Sequence, residues 1–271
     1  ARHIAAVILT GSDTVILTVF SSLVNVSIYA VYYLPMSGSR LIIMSMISGI
    51  MALIGNLWAK QDLKELRKVF AWTEWLIHTG TTLIFTLTAV LIVPFVQVYT
   101  HGVSDANYIQ PLFGILLVAA NSGHCLRLPY NIMILAAGHY KQTQHNYIIA
   151  AVMNIVISIM GVKQFGLIGV TLGTLAAMVY QTVWMAWYNS KNFIKWPMRN
   201  FFKQMAVNAA SAVSIFIVTG YFTMTGVSYL EWIVLAIKVT ACGIFVAFFV
   251  NYIFYKELIS RIANKLIKKF C

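Results

Sequence analysis

Acidic side chains are scarce in this chain, which has seven Asp and Glu residues against 19 Lys and Arg among 271 residues. Cysteine is scarce as well: Cys125, Cys242 and Cys271 have no paired spacing, and two of them lie within apolar segments. A disulfide framework needs paired cysteines, and metal catalysis needs clustered His, Cys or carboxylate ligands. The sequence shows neither pattern, so we expect no disulfides, no metal site and no other cofactor.

Charged residues of either sign are few. Only 10% of the residues are charged and 60% are hydrophobic, whereas soluble domains are typically about 25% charged. The formal net charge of +12 would point to nucleic acid in a soluble protein, but in a membrane protein Lys and Arg mark the cytoplasmic loops. The composition therefore predicts an all-α, polytopic transmembrane helix bundle with no nucleic-acid partner.

Long apolar runs divide the chain into membrane spans. A span needs about 20 mostly apolar residues, and on that measure we predict about eight of them, at 4–22, 26–57, 70–98, 108–137, 146–163, 165–188, 204–224 and 230–254. The second and third runs are long enough to tilt or break.

The basic residues of the connections fall on one side of this arrangement. If the spans alternate direction, the opposite side holds only Lys163, and the basic side holds Arg2, Lys60, Lys64, Arg67, Lys68, Lys141, Lys191, Lys195, Arg199, Lys203, Lys256, Arg261, Lys265, Lys268 and Lys269. A miscounted span would mix the two sets, and positive charge collects on cytoplasmic loops. We therefore expect both ends of this chain in the cytoplasm.

The last segment, 256–271, is basic and amphipathic. ELISRIANKLIKKF places apolar residues at helical spacing with basic residues between them, at Leu258, Ile259, Ile262, Leu266 and Ile267. One interpretation is a helix that lies on anionic lipids of the inner leaflet. The other is a basic flank that only fixes topology.

Ionisable residues within the predicted spans are the main functional signal. We count four: Asp13, Arg40, Arg127 and Lys238. An arginine at bilayer depth costs roughly 2.5–3.5 kcal/mol. Buried cations that face a bundle interior can line a wet cavity for an anionic substrate, which favours a transporter over an enzyme.

Structural alternatives to these roles stay open. Asp13 either pairs with Arg40 or Arg127 as a tie between helices, or it couples an ion. For Lys238 we favour a salt bridge to Glu231 or snorkelling.

Proline and glycine also mark the spans. Pro35, Pro94 and Pro129 interrupt apolar runs, and they either kink helices or allow bending during alternating access. Gly169 and Gly173, one turn apart, predict close helix packing.

Four stretches occur in an order that is fairly specific: TGSDTVILTVFSSLVNVSIYAVYYL, LIGNLWAKQDLKELRKVF, LRLPYNIMILAAGHYKQT and NIVISIMGVKQFGLIGVTLGT. In this series the chain resembles the C-terminal half of the polysaccharide flippases (O-antigen, capsule or teichoic type) of the multidrug/oligosaccharidyl-lipid/polysaccharide transporter superfamily. The resemblance covers roughly residues 9–194.

Two six-helix bundles that face each other across a cavity are the architecture that this resemblance implies. Residues 1–190 would form the second bundle, 191–255 an additional transmembrane pair with a cytoplasmic linker, and 256–271 the tail. The chain begins ARHIAAVILTGSD, without an initiator methionine or a secretory signal pattern. We therefore expect a fragment that lacks its N-terminal bundle.

The function implied is alternating-access flipping of a polyprenyl-pyrophosphate-linked oligosaccharide across the bacterial inner (cytoplasmic) membrane, for surface polysaccharide biosynthesis. Arg127 would hold the pyrophosphate, because a guanidinium fork suits phosphate geometry. Arg40 is a second candidate, His124 and Asn131 would contact the headgroup, and Asp13 is the ion-coupling candidate. The expected partners are the lipid-linked substrate, anionic lipids, a polysaccharide polymerase and glycosyltransferases.

Two other functions remain as alternatives. A drug or cation antiporter of the same superfamily would need acidic or aromatic groups in its cavity. A membrane-embedded glycosyltransferase or polymerase would be expected to carry large polar loops with carboxylates, and YTHGVSDANYIQ has only Asp105.

Overall fold

The computed structural model describes residues 2–270, apart from the side chains of residues 2, 3, 10 and 259–270. Its regular elements are all helices, and in chain order they are α1 Arg2–Phe20, α2 Leu23–Ser45, α3 Ile47–Ala59, α4 Leu63–Tyr99, α5 Pro111–Leu126, α6 Leu128–Ala136, α7 Tyr140–Phe165, α8 Leu167–Asn192, α9 Met198–Thr219 and α10 Tyr229–Phe270. The prediction of an all-α bundle is confirmed.

Within the described residues, seven helical segments are long and apolar enough to cross a membrane. Two of these segments contain a break. The segment Leu23–Ala59 consists of α2 and α3, and the segment Pro111–Ala136 consists of α5 and α6. The predicted span at 4–22 corresponds to α1, of which Gly11–Phe20 counts as a shorter apolar helix. The chain is thus a multi-pass membrane protein.

Helix α4 is much longer than a bilayer is thick. Its 37 residues extend about 55 Å, against a hydrocarbon core of roughly 30 Å. It begins where the Asp62 carboxylate accepts the Glu65 backbone N–H at 3.0 Å, an N-cap that supplies a partner for a free amide of the first turn. The polar first turns, with Glu65 and Lys68 paired at 2.8 Å, therefore project beyond the hydrocarbon.

The break between α5 and α6 falls at Arg127, two residues before Pro129. Proline lacks the N–H that would bond to the carbonyl four residues earlier, so the ladder is interrupted here. Pro35 and Pro94 instead lie inside continuous helices. The break in the long run 26–57 occurs at Met46, away from Pro35.

Helices α7 and α8 form a tight hairpin. Gly166 joins them with φ of 54°, a conformation that glycine adopts without steric cost. Gly169 lies directly against the Gly161 backbone, and Gly173 lies against Ser158, so a Cβ at either α8 position would overlap its neighbour. The glycine spacing thus serves close helix packing, as predicted.

The last two helices pack against each other and against α4. They share with α4 a small apolar cluster in the described part of the chain, made of Leu87, Ile215, Leu235, Val239 and Ala247. A larger cluster runs through α1 to α8 and includes Phe201 of α9. The division into a bundle at 1–190 and a helix pair at 191–255 stays a prediction.

The predicted amphipathic tail lies mostly outside the described side chains. The backbone of α10 continues to Phe270 past a non-helical residue at Tyr255. The orientation of Ile259, Ile262, Leu266 and Ile267 is therefore outside the described residues, and membrane contact of the tail stays a prediction.

The charge asymmetry predicts opposite sides of the membrane for the exposed residues Ser104 and Gln142. With the native cysteines replaced, a cysteine at position 104 should react with an impermeant thiol reagent on intact cells. A cysteine at position 142 should react only after the cells are permeabilised. The reverse labelling pattern would contradict a cytoplasmic location for the basic loops.

Candidate functional site

The Arg127 side chain is buried at the break between α5 and α6, with 6% of its surface exposed. Its Nη2 lies 3.0 Å from Nδ1 of His124, one turn earlier on α5. Its Nη1 donates to the Tyr147 hydroxyl of α7 at 3.3 Å, and that hydroxyl donates to Oδ1 of Asn131 at 2.8 Å. The fold therefore brings three of the predicted substrate-binding residues into one cluster and adds Tyr147.

Within the described part of the chain, Arg127 has no carboxylate partner. Among the described side chains, no Asp or Glu oxygen lies within 4.0 Å of its guanidinium, and its Nε has no hydrogen-bond partner. A buried charge without an opposite charge is unfavourable in a membrane interior. The site is thus electropositive and has a free donor.

The remaining predicted residues meet at a small cavity next to this cluster. Its volume of about 20 Å³ suffices for about one water molecule. Its polar lining consists of Asp13, Tyr29, Tyr33, Arg40, Asn121, His124 and Thr174. Arg127 does not line this cavity, but its Nη2 lies 3.0 Å from Nδ1 of His124, which does. Arg40 and His124 are therefore the basic groups that a ligand in this cavity would meet first.

Asp13 is buried among hydroxyl and amide groups from three helices. Its carboxylate accepts from the Thr174 hydroxyl at 2.8 Å and from the Tyr29 hydroxyl at 3.2 Å. Thr174 also accepts from Nδ2 of Asn154 at 3.0 Å, and Ser158 donates to Oδ1 of Asn154 at 3.3 Å. Among the described side chains, no ion pair joins Asp13 to Arg40 or Arg127, so the structure does not contain the tie that was one of the two alternatives for Asp13.

For Lys238, one of the two structural roles that we favoured, a salt bridge to Glu231, is absent from the described part of the chain, and snorkelling stays a prediction. Glu231 caps the preceding turn instead, with its Oε2 accepting from the backbone N–H of Thr225 and Gly226. No ion pair between Glu231 and Lys238 occurs in the described part of the chain. Lys238 is exposed beside a cavity of about 340 Å³, far along the chain from the Arg127 cluster.

The count of four intramembrane ionisable residues was wrong, because α4 carries a fifth. Glu74 is 3% exposed, and its oxygens accept from the Tyr130 hydroxyl at 2.5 Å and from Nε1 of Trp196 at 2.8 Å. His78, fully buried one turn later, lies 3.5 Å from the same hydroxyl. The signal was present in AWTEWLIHTG, where an acid and a histidine stand four residues apart in an apolar run.

These clusters lie inside a multi-pass helical membrane bundle, and comparison with known proteins places its fold. No family model matches the chain, and no curated protein matches it. A solved structure of lipid II flippase MurJ, in an inward closed conformation, is similar with a TM-score of 0.67 and 19% sequence identity. The match covers 94% of this chain and 53% of the MurJ chain, so this chain spans about half of that flippase. At this identity the likeness shows a common fold.

Proposed function

We propose that this chain is part of a flippase of the multidrug/oligosaccharidyl-lipid/polysaccharide transporter superfamily, which moves a polyprenyl-pyrophosphate-linked oligosaccharide across the inner membrane of a bacterium. The observation that carries the proposal is the uncompensated guanidinium of Arg127, buried within a fold shared with a lipid II flippase. A transporter role, rather than an enzymatic one, follows from the same two facts. The polysaccharide substrate rests on the sequence motifs.

The pyrophosphate is the part of such a substrate whose charge the site suits best, and the cavity, which has a volume of about 20 Å³ in this conformation, would have to widen to admit it. Arg40 and His124 line the small cavity, and Arg127 lies behind His124 at hydrogen-bond distance. Opposite charges attract strongly in a partly dehydrated site. We infer that Arg40 and His124 contact the anionic headgroup first and that Arg127 stabilises it, directly or through His124, while Asn131 positions the cluster through Tyr147.

A flippase is needed because the headgroup does not cross lipid unaided. Moving charges and hydroxyls into hydrocarbon requires their desolvation, which costs several kcal/mol for each unpaired group. The substrate therefore stays on the leaflet where it is made unless a polar route is supplied.

Asp13 is our candidate for the coupling site. The Thr174 and Tyr29 hydroxyls bond directly to its carboxylate, and further along the same hydrogen-bond network lie the Ser158 hydroxyl, the Asn154 side-chain carbonyl and the Val170 carbonyl. Small monovalent cations are coordinated by such oxygens in transporters, often by backbone carbonyls at membrane depth. We propose that a small monovalent cation binds at Asp13 during the transport cycle.

Deletion of the full-length gene should separate a flippase from an antiporter. We expect lipid-linked oligosaccharide to accumulate at the cytoplasmic face and surface polysaccharide to fall, while tolerance to cationic dyes stays unchanged. Both are measured in one strain that has no second flippase. Intact surface polysaccharide together with new dye sensitivity would favour the antiporter.

Substitutions at Arg127 test the electropositive site. In the complemented deletion strain, Arg127→Ala should abolish surface polysaccharide at a normal membrane protein level, and Arg127→Lys should restore part of it because the charge remains without the fork. Lys238→Ala is the matched control, since it removes an intramembrane cation elsewhere. Normal polysaccharide with a well-expressed Arg127→Ala protein would exclude this role.

Cation binding at Asp13 is measured by thermal stability. A ligand that binds only the folded state stabilises it by RT ln(1 + [L]/Kd), so Na⁺ should raise the melting temperature of the full-length protein relative to choline at equal ionic strength. Asp13→Asn and Thr174→Val should lose this increase. Thr171→Val should keep it, because Thr171 is equally buried on α8 but bonds only to backbone carbonyls of its own helix. An equal Na⁺ effect in all variants would place the cation elsewhere.

A further inference from the structure

We propose that Glu74 of α4 is a proton-binding site, to which Tyr130 and His78 relay the proton. It lies apart from the Asp13 site and joins the bundle to the last two helices. Proton binding itself does not depend on the proposed function, whereas the link from protonation to transport does.

The surroundings of Glu74 leave its charge poorly compensated. Both carboxyl oxygens accept from neutral donors, the Tyr130 hydroxyl and the Trp196 indole. Among the described side chains, no Lys, Arg or His nitrogen lies within 4.0 Å to pair with it. Desolvation opposes the charged form of such a group, and uptake of one proton removes that charge.

The type of partner favours a proton over a metal ion. At Glu74 the carboxyl oxygens meet O–H and N–H groups, which point hydrogen atoms at the carboxylate. A cation would need several further oxygen ligands, and among the described side chains the hydroxyl of Tyr130 is the one oxygen group bonded to Glu74. The described residues also contain no group of three or more His, Cys, Asp or Glu side chains arranged for a metal.

Tyr130 and His78 form a chain of groups that exchange protons. The Tyr130 hydroxyl donates to Glu74 at 2.5 Å and lies 3.5 Å from Nε2 of His78. The His78 ring also forms a hydrogen bond with the backbone of Leu126, the last residue of α5. Proton transfer requires groups within hydrogen-bond reach, directly or through one water, and this geometry is close to that requirement.

The tautomer of His78 is set by its neighbours. The Nε2 amide of Gln204 donates to Oδ1 of Asn208 at 3.0 Å, so the Nδ2 amide of Asn208 faces Nδ1 of His78 at 3.1 Å. That amide nitrogen is only a donor, so Nδ1 accepts and Nε2 carries the hydrogen of the neutral ring.

Proton uptake can then be written in full. One proton from hydronium in the solvent adds to Nδ1 of His78 as Asn208 turns away, which leaves a water molecule. The Nε2 hydrogen leaves the Leu126 backbone and passes to the Tyr130 oxygen. The original Tyr130 hydrogen passes to Oε1 of Glu74. Glu74 becomes neutral, Tyr130 remains a phenol, and His78 remains neutral with its hydrogen on Nδ1.

A cavity reaches the His78 end of this chain. It has a volume of about 260 Å³ and lies between α4, α5 and α9, with Thr81 and Asn208 in its lining. Thr81 and Ser211 are buried next to His78 and Asn208 along their helices, and their hydroxyls have no hydrogen-bond partner among the described residues. Such polar groups suit a path along which water delivers a proton.

Other titratable groups around Glu74 are few and lie further away. Tyr255 of α10 faces the site, and Lys203 of α9 lies over its ring at 4.5 Å from the centroid. On α4, Arg67 is about two turns earlier and donates to the Ile194 carbonyl at 2.8 Å. Arg40 of α2 faces the separate cavity beside His124, and α3 has no ionisable side chain.

Protonation of Glu74 would weaken the hydrogen bond that joins α6 to α4. In the charged state the Tyr130 hydroxyl is bonded to the carboxylate, and Trp196 is bonded to the other oxygen. A neutral acid binds both donors less strongly, because hydrogen bonds to ionised acceptors are about twice as strong. Since α6 begins next to Arg127, the proton would loosen the element that carries the substrate site.

Infrared difference spectra of the full-length protein in nanodiscs test proton binding directly. Between about pH 5 and 8, the wild-type protein should gain a protonated-carboxyl band on acidification, and Glu74→Gln should lose that band. Glu65→Gln should keep it, because Glu65 is a half-exposed acid on the same helix, paired with Lys68. Tyr130→Phe should keep the band but shift the pH at which it is half-formed, since Glu74 loses the hydrogen bond from the Tyr130 hydroxyl. Melting temperatures verify that each variant is folded.

Identical pH-difference spectra for wild-type protein and a folded Glu74→Gln variant would overturn the proposal. The link to transport is measured separately, as pH-gradient-driven flipping of lipid-linked oligosaccharide in proteoliposomes. Glu74→Gln should remove the dependence on the gradient, and retained dependence in that variant would overturn the link. If the band titrates but no protein flips the lipid, the proton site stands and the proposed function fails.

Discussion

A polar group that folds into a membrane bundle has no water to bond with, so its partners must come from neighbouring helices. This constraint organises the interior of the chain, because an unsatisfied group in hydrocarbon costs several kcal/mol. Asp13 finds its partners on α2, α7 and α8, and Glu74 finds them on α6 and the linker before α9. Each buried acid therefore fixes the relative positions of several helices. Arg127, by contrast, keeps an unbonded Nε.

The short helix α6 connects two of these clusters. Asn131 on this helix meets Tyr147, which also contacts Arg127, while Tyr130 meets Glu74 on α4. Pro129 separates α6 from α5 by interrupting the helical ladder, so α6 is a distinct element. A single turn of α6 therefore joins the acid of α4 to the basic cluster.

The last two helices belong to the same interior network. Asn208 of α9 bonds to His78, and Trp196 in the preceding linker bonds to Glu74. On an adjacent face of α4, Trp75 and Thr79 both donate to Asn251 of α10, at 3.0 and 3.1 Å. These bonds anchor the pair to α4, and without α9 the Glu74 cluster would lose part of its enclosure.

The sequence by itself determined the class of protein, the approximate position of most spans and some of the charged residues inside them. Hydropathy identifies a span because every residue in it must match lipid, and Asp13, Arg40 and Arg127 stand out because a charge contrasts with its apolar neighbours along the chain. Glu74 was overlooked although it lies in the predicted span 70–98, because it stands close to the basic start of α4.

Only the tertiary structure decided which of these residues meet. Asp13 bonds to Thr174 161 residues away, and Glu74 bonds to Trp196 122 residues away. Asp13 has hydroxyl partners rather than the arginine that charge pairing suggested, and Arg127 lies behind His124. Local patterns carry no information on such pairs, because helix rotation and packing against neighbours decide which faces touch.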